Sequence, residues 1–535
     1  MMQTIYPWMV LAPAMLMLLS VGVPSGFANR HVALMKRVSL WQTGTALALS
    51  LASAVFLAFS GPVDAALVRF GSRGAVTFGT YFDSLAAVMM LLIAVLGFVV
   101  VRFSVRYLEG ESTQGRFLRW MSFTLGSVLM LVLARDLVMF TVLWMCTSFG
   151  LHQLLTHYPE RTWGVWAARK KFLISRFGDV MLIAALWLTW RTFGSFDYSR
   201  VFAEAQAMRL AGDGSMAASA IGLLLALGAM TKSAQVPFHS WLPDTMDVPT
   251  PVSALMHAGI INAGGVLVIR MSPLVELSPS SMGLLAVVGA TTALLGSVVM
   301  LTQTRVKRSL AYSTIAQMGF MTLECGLGAF SAALLHIVAH SAYKAHAFLS
   351  SGSVLEQVAG TRVASPRPVG ARGLLATLMA SCAVSFGLVA STGWMATSLG
   401  ASAHGTVVLS VVLGIALTQI IWSAMQTGHA GVALRGTLAA AGIAVAYCAG
   451  FVVMDHLLAA SVSHPVAPAS SWHLFIVAFV VAGFIGLLFL GSLARRYAHL
   501  PMMQRLYVAS VNAFYLESFL HRFTAWVWRR PMPVY

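Results

Sequence analysis

Of the 34 lysines and arginines in this 535-residue chain only six are lysines, and three of those, Lys232, Lys307 and Lys344, lie in or beside apolar segments. Arginine keeps mostly to the polar connections. The asymmetry is chemical, because a buried lysine can release a proton whereas a guanidinium stays charged at any accessible pH. An ionisable group inside a membrane span costs at least ~2.5 kcal/mol on insertion scales, which makes function the first hypothesis for Lys232 and Lys344. Lys307 sits in the basic cluster 305–308 and reads as a side chain snorkelling to the interface. His336, His340 and Lys344 stand at i, i+4 and i+8, stacked on one helical face, with His346 on another. Such a row can hand protons along through water, since histidine titrates near neutrality. HxxxH could also supply two zinc ligands, but Glu324 and Cys325 are not at metal-ligand spacing, so a proton relay ranks above metal. His257, beside Asn262 in the apolar run 252–269, is either a satisfied core residue or a further relay member. Its nearness to Lys232 favours the relay.

The elements that must hold these groups are membrane helices. The chain is 58% hydrophobic and 10% charged, against about a quarter charged in soluble domains, so a soluble protein is excluded. Apolar runs long enough to cross ~30 Å of hydrocarbon begin near residues 6, 40, 81, 117, 137, 172, 218, 251, 282, 309, 328, 374, 405, 436 and 472. Some are half-spans, and about fourteen transmembrane helices are expected in an all-α polytopic bundle. The formal charge of +17 is carried in short connections and speaks for topology, not nucleic-acid binding. Arg30, Lys36 and Arg37 follow the first span, Arg102, Arg106, Arg116 and Arg119 the third, and Arg161, Arg169, Lys170, Lys171 and Arg176 the fifth. That alternation puts the N-terminus outside. The first apolar run lacks a basic n-region and reads as a retained helix. Four scattered cysteines, with no CxxC pair, indicate neither disulfides nor an iron–sulfur site, and no nucleotide fingerprint or haem motif occurs. No cofactor is expected in this chain.

Polar interruptions fall at 107–115, 157–171, 196–215 and 356–372. Pro237, Pro243, Pro249 and Pro251 cannot all sit in one continuous helix, so the span after Lys232 must break. A break at membrane depth is tolerated only where protein or water meets the freed backbone, and such a break usually lines a polar cavity. Beyond Leu493 the chain turns basic and aromatic, with Arg495, Arg496, Arg505, Arg522, Arg529 and Arg530 among Tyr, Phe and Trp. An interfacial helix is the expected reading, a partner-docking arm the sharper one.

Residues 232–244, Lys-Ser-Ala-Gln-Val-Pro-Phe-His-Ser-Trp-Leu-Pro-Asp, and 249–257, Pro-Thr-Pro-Val-Ser-Ala-Leu-Met-His, resemble the central motif of the antiporter-like subunits of respiratory complex I, Mrp-type cation/proton antiporters and membrane-bound hydrogenases. Residues 307–319 and 336–344 resemble two further motifs of that family, and 83–89 a weaker one. The resemblance implies an antiporter-like fold with two inverted five-helix repeats and a hydrophilic axis of Lys, His and Glu that carries protons or Na⁺. Lys232, His257, Lys307, His336, His340 and Lys344 would lie on it. It also implies a division into N-terminal helices (1–105), a first half (106–271), a second half (272–430), C-terminal helices (431–493) and a tail (494–535).

Departures from that pattern narrow the resemblance. The family's fifth-span glutamate falls here on Met145, which leaves Asp179, with Asp136 behind it, as the carboxylate to tune Lys232. No lysine follows Lys344, so the exit lysine of the second half is missing, and the chain stops at Tyr535, short of the lateral helix of the distal complex I subunit. A short, altered relative of this kind resembles the DabB branch, the membrane subunits of two-component inorganic-carbon accumulation systems. Residues 144–176 also resemble that branch. The resemblance implies an inner-membrane complex with a DabA-like zinc-binding partner related to β-carbonic anhydrases, with zinc and CO2 hydration on the partner. A complex I, hydrogenase or Mrp subunit and a non-conducting scaffold are the alternatives.

Overall fold

The computed structural model describes residues 2–70, 76–212, 215–353, 371–398, 406–462, 471–494 and 497–529. Its helices are α1 (Met2–Leu18), α2 (Ser25–Arg30), α3 (Val32–Ser60), α4 (Ser84–Tyr107), α5 (Gln114–Val132), α6 (Leu137–Leu155), α7 (Thr162–Phe193), α8 (Tyr198–Ala211), α9 (Met216–Lys232), α10 (Thr250–Ala258), α11 (Ala263–Arg270), α12 (Ser272–Val275) and α13 (Pro279–Met300). They continue with α14 (Val306–Gly326), α15 (Phe330–Leu349), α16 (Ala371–Ser398), α17 (Thr406–Met425), α18 (Ala430–Leu458), α19 (Ser471–Leu493), α20 (Pro501–Val511) and α21 (Glu517–Trp528). Most of the expected 356–372 connection, and Arg495, Arg496 and Arg530 of the tail, lie outside the described residues.

Among the described residues eight helices are long and apolar enough to cross a membrane by length and composition, with shorter apolar stretches in α9, α16, α17 and α19. The shortfall against about fourteen has a physical cause. Helices α5, α14 and α15 are 19, 21 and 20 residues long, but each carries arginine, lysine, histidine or glutamate, which depresses its hydropathy. Arg119, Glu324, His340 and Lys344 are tolerable there because they are buried against protein and do not face lipid.

Two features differ from the sequence reading. In a chain expected to be all-α, residues 63–70 and 76–82 form an antiparallel strand pair, β1 (Val63–Phe70) and β2 (Val76–Phe82), in which β-branched and aromatic residues favour strand. Arg135 clamps it through Asp64 at 2.6 Å and Asp197 at 2.8 Å. Second, the expected interruption at 157–171 is shorter, because α7 begins at Thr162 and Arg169, Lys170 and Lys171 lie inside it. Lys170 and Lys171 are buried, so they drop out of the loop-charge count used for orientation.

The bundle is held by small residues and by buried polar pins. A Cβ on Gly289 would lie 2.4 Å from the Leu323 amide nitrogen, and one on Gly319 2.4 Å from that of Ala293, so α13 and α14 touch backbone to backbone. Asp83 caps α4 by accepting from the Ala86 amide, and it also takes both arms of the Arg270 guanidinium at 2.6 and 2.8 Å. The pair is about 5% exposed and ties α11 to the start of α4. Asp83→Ala leaves a buried guanidinium unpaired, and a loss of ~3–5 kcal/mol is expected as a lower melting temperature in detergent. Asp83→Ala combined with Arg270→Leu should recover part of it.

Candidate functional site

The break expected after Lys232 is present and stays protein-lined. Helix α9 ends on that lysine, two short 3₁₀ turns cover Phe238–Trp241 and Pro243–Asp247, and α10 resumes at Thr250 before a second break at Ile260–Asn262. The freed backbone finds partners inside: Ser233 Oγ donates to the Ile261 carbonyl at 2.7 Å, and the Val236 amide donates to Thr292 Oγ1 at 3.0 Å. Gly264 permits the fold-back, since a Cβ there would lie 2.4 Å from the Ala229 carbonyl oxygen.

Lys232 reaches α6. Its Nζ donates to the Trp144 carbonyl at 3.1 Å and to Ser148 Oγ at 2.7 Å, and lies 4.4 Å from the centre of the Trp144 ring. Lys171 Nζ donates to the carbonyl of the same Ser148 at 2.8 Å. Two lysines from different helices therefore converge on one serine, next to Met145, the position where the sequence comparison looked for a glutamate. Like charges that close repel. The site is suited to passing one proton between two amines more than to holding two.

Asp179 lies about two turns along α7 from Lys171, adjacent to the contact in which a Cβ on Gly178 would meet Thr231 Oγ1. Its carboxylate pairs with Arg176 at 2.6 Å and makes no hydrogen bond to Lys232. Asp136 is not brought to Lys232 at all. It caps α6, accepting from the Met139 amide at 2.6 Å and from the Thr77 amide at 2.9 Å, roughly 12 Å of helix away from Trp144.

The second half of the axis is more continuous. His257 Nδ1 contacts Thr314 Oγ1 at 3.0 Å, its ring stacks on Phe348, and its carbonyl lies 3.2 Å from His340 Nε2. The His340 and His336 rings are 6.1 Å apart, and His336 Nδ1 meets Glu324 at 3.0 Å. Lys344, fully buried, donates to the Leu310 carbonyl at 3.0 Å, while His346 faces outward. Lys307 does not snorkel; it donates to Thr250 Oγ1 at the start of α10, at 3.1 Å. His257 Nε2, His336 Nε2 and Asn262 Oδ1 are buried with no protein partner among the described residues, and such atoms are ordinarily met by water. A cavity of about 320 Å³, lined by Glu324, His336, His340, Gln317 and Tyr447, opens onto this end of the row.

Several residues escaped the sequence reading. Glu324 is a lone carboxylate in an apolar segment, the same signal that singled out the lysines. Lys170 and Lys171 were masked by neighbouring arginines. Ser148 carries no signal of its own beyond standing one turn after Trp144. Asp244, Glu517 and His521 place ligand atoms within 4.8 Å of one another, a spacing a metal ion could use, but Lys170 Nζ bonds Asp244 and lies 3.2 Å from His521, filling the space between them. None of the four cysteines is in a disulfide.

Comparison with known proteins bears on the fold and the family. The family model of the NADH:quinone oxidoreductase/Mrp antiporter transmembrane region matches residues 134–367, and that of the NADH-ubiquinone oxidoreductase (complex I) chain 5 N-terminus matches 71–118. The chain is 34% identical, over 96% of its length and 93% of the relative's, to the probable inorganic carbon transporter subunit DabB2 of Halothiobacillus neapolitanus. It is 42% identical to the probable inorganic carbon transporter subunit DabB of Hydrogenovibrio crunogenus over 51% of its length and 52% of the relative's. The Mrp complex from Dietzia sp. DQ12-45-1b superposes on 99% of the chain and 57% of its own with a TM-score of 0.56 at 26% identity. Respiratory complex I from Thermus thermophilus shares the fold alone, with a TM-score of 0.53 at 20% identity over 96% of this chain and 99% of its own. These likenesses describe a multi-pass subunit of a multi-subunit membrane assembly, built on the antiporter-like fold. At 34% identity to DabB2 over 96% of its length, the chain belongs to the DabB family of inorganic-carbon transporter subunits.

Proposed function

We propose that this chain conducts protons, or another monovalent cation, through its buried polar axis, and that the flow energises inorganic-carbon uptake by a partner subunit. The observation that carries the reading is the run from His257 through His340 and His336 to Glu324, which ends on the 320 Å³ cavity. Protons would move from the Lys232–Ser148–Lys171 site through His257, all in the half spanning 106–271, to His340, His336 and Glu324 in the half spanning 272–430. Lys344 and Lys307 stand beside it. Glu324 and His336 line the cavity at the end of the row, in a chain in which no lysine follows Lys344.

The partner would be a DabA-like zinc protein related to carbonic anhydrases, converting CO2 to bicarbonate in one direction. The names of the relatives support this assignment, as inorganic carbon transporter subunits. The inner membrane is the proposed location, with the N-terminus outside on the strength of Arg30, Arg37, Arg102, Arg106 and Arg116. A second reading, a cation/proton antiporter subunit of the Mrp kind, draws on the likeness to the Dietzia assembly.

Carbon uptake by cells lacking carbonic anhydrase, supplied with the chain and its partner, should collapse on addition of an uncoupler. It should fall at least ~10-fold in Lys232→Ala and in Lys344→Ala while the membrane abundance of the chain is unchanged. Undiminished uptake in both variants would make the chain a scaffold. Co-purification followed by metal analysis should find zinc on the partner.

Glu324→Gln keeps the size and the hydrogen bond to His336 but cannot release a proton. It should slow proton uptake into inverted vesicles roughly 10-fold or more, whereas Glu324→Asp should retain part of the rate. Equal rates in both would remove Glu324 from the path.

A further inference from the structure

The cavity beside Glu324 lies along the middle of α14 and α15 and is closed by α17 and α18, through Leu413 and Tyr447. A proton delivered there still has to reach water. The seam between α15 and α18 leads away from it. The two helices run antiparallel: Tyr447 lines the cavity with His336 and His340, a Cβ on Gly450 would lie 3.0 Å from Leu335, and Ser331 Oγ donates to Asp455 Oδ1 at 2.7 Å. Asp455 is therefore two turns, about 12 Å, beyond Tyr447 on α18. Along α15 the order Lys344, His340, His336 leads toward the same place, since Ser331 stands in the first turn of that helix. It is the end of the bundle away from the basic connections. Thr250 meets Lys307 at the start of α14 and Tyr107 at the end of α4, so α14 finishes and α15 begins at the opposite end, the side proposed to face outward.

Asp455 is 3% exposed, and its Oδ2 has no partner among the described residues. A carboxylate clamped by a guanidinium, as Asp83 is by Arg270, keeps its charge. One bonded to a neutral hydroxyl can take and give up a proton. Between Glu324 and Asp455 stands one apolar layer, in which Ala329, Ala332 and Phe451 pack with Leu335 and Phe320. The layer touches both carboxyl-bearing residues in the chain. The Ala329 amide donates to the Glu324 carbonyl at 2.9 Å, and Phe451 precedes Asp455 by one turn of α18. An apolar constriction of this kind excludes water while it is closed and so keeps protons from running back.

We propose that Asp455 is the outlet of the proton path, loaded from Glu324 through the Phe451 layer and emptied into the outer water. In loading, the O–H bond of the Glu324 carboxyl breaks and an O–H bond forms on Asp455, with water carrying the proton across the opened layer. In release, the Asp455 O–H bond breaks and an outer water takes the proton, which returns both groups to carboxylates. The Ser331 hydroxyl stays on Oδ1 throughout and leaves Oδ2 as the atom that accepts. The inference rests on the conduction proposed above. It gives that path an acidic outlet on α18, in a chain where no lysine follows Lys344.

The test is proton uptake into inverted vesicles that hold the assembled complex, driven by an imposed pH gradient. Asp455→Asn keeps the contact with Ser331, because its amide oxygen accepts, but it cannot carry a proton; uptake should slow about tenfold or more. Asp455→Glu should retain part of the rate. A merely structural Asp455 would leave the asparagine variant at the full rate, and that result overturns the outlet while the proposed function stands. No uptake by the unsubstituted complex overturns both. If Asp455→Asn does not assemble, dicyclohexylcarbodiimide decides on the unsubstituted complex, since it modifies carboxyls that are protonated in apolar surroundings. Peptide mass spectrometry should find Asp455 modified and Asp83 unmodified. An Asp455 that stays unmodified overturns the outlet.

Discussion

A polar backbone broken inside a bilayer has to be satisfied by its own protein, and that requirement organises this molecule. The interruption between Lys232 and Thr250 would expose carbonyls and amides to hydrocarbon if neighbours did not cover it. Ser233, Thr292 and the second break at Ile260–Asn262 supply the partners, and Gly264 lets the strand of chain approach closely enough to reach them. Three further features are placed by this fold-back. It presents Lys232 to α6, it carries Asp244 to Lys170, and it sets His257 beside the α15 row.

Charge is handled in two different ways. Where position alone matters, cations and anions are paired tightly, as in Asp83 with Arg270 and Arg135 with Asp64 and Asp197. Such pairs fix geometry and hold their charge. Along the axis the lysines are treated differently. Lys232, Lys171 and Lys344 are given neutral acceptors, two carbonyls of α6, one of α14 and a serine hydroxyl, and none of the three hydrogen-bonds a carboxylate among the described residues. A lysine held this way is free to exchange its proton with water or a neighbour, whereas one locked to aspartate is not. Lys170 stands between these cases, bonded to Asp244 yet facing a histidine.

The adjacent pair Lys170 and Lys171 shows how little separates these cases along the chain. One helical step turns one amine toward the Ser148 site and the other toward the C-terminal helix, so a single segment of α7 touches both the axis and the exposed aromatic face of α21.

Much of this was legible in the residues. Scarce lysines in apolar runs, the i, i+4, i+8 row and four prolines within fifteen residues each follow from local physics, and so did the helical membrane class and the break. The strand pair at 63–70 and 76–82 was not legible, since two short strands in an apolar region read like any other apolar run. Nor was the role of Asp136, which the sequence set behind Lys232 and the fold uses as a helix cap. A capping aspartate and a tuning aspartate are the same residue type before the chain is folded. The sequence by itself determined which groups could titrate and that Lys232 and Lys344 would be buried. Only the tertiary structure decided which of them meet, that Ser148 joins two lysines, that Glu324 ends the histidine row and that His521 returns from the far end of the chain to Lys170. Contacts between residues 84, 12 and 351 positions apart leave no periodic trace, because they are set by how helices pack and not by how any one of them repeats.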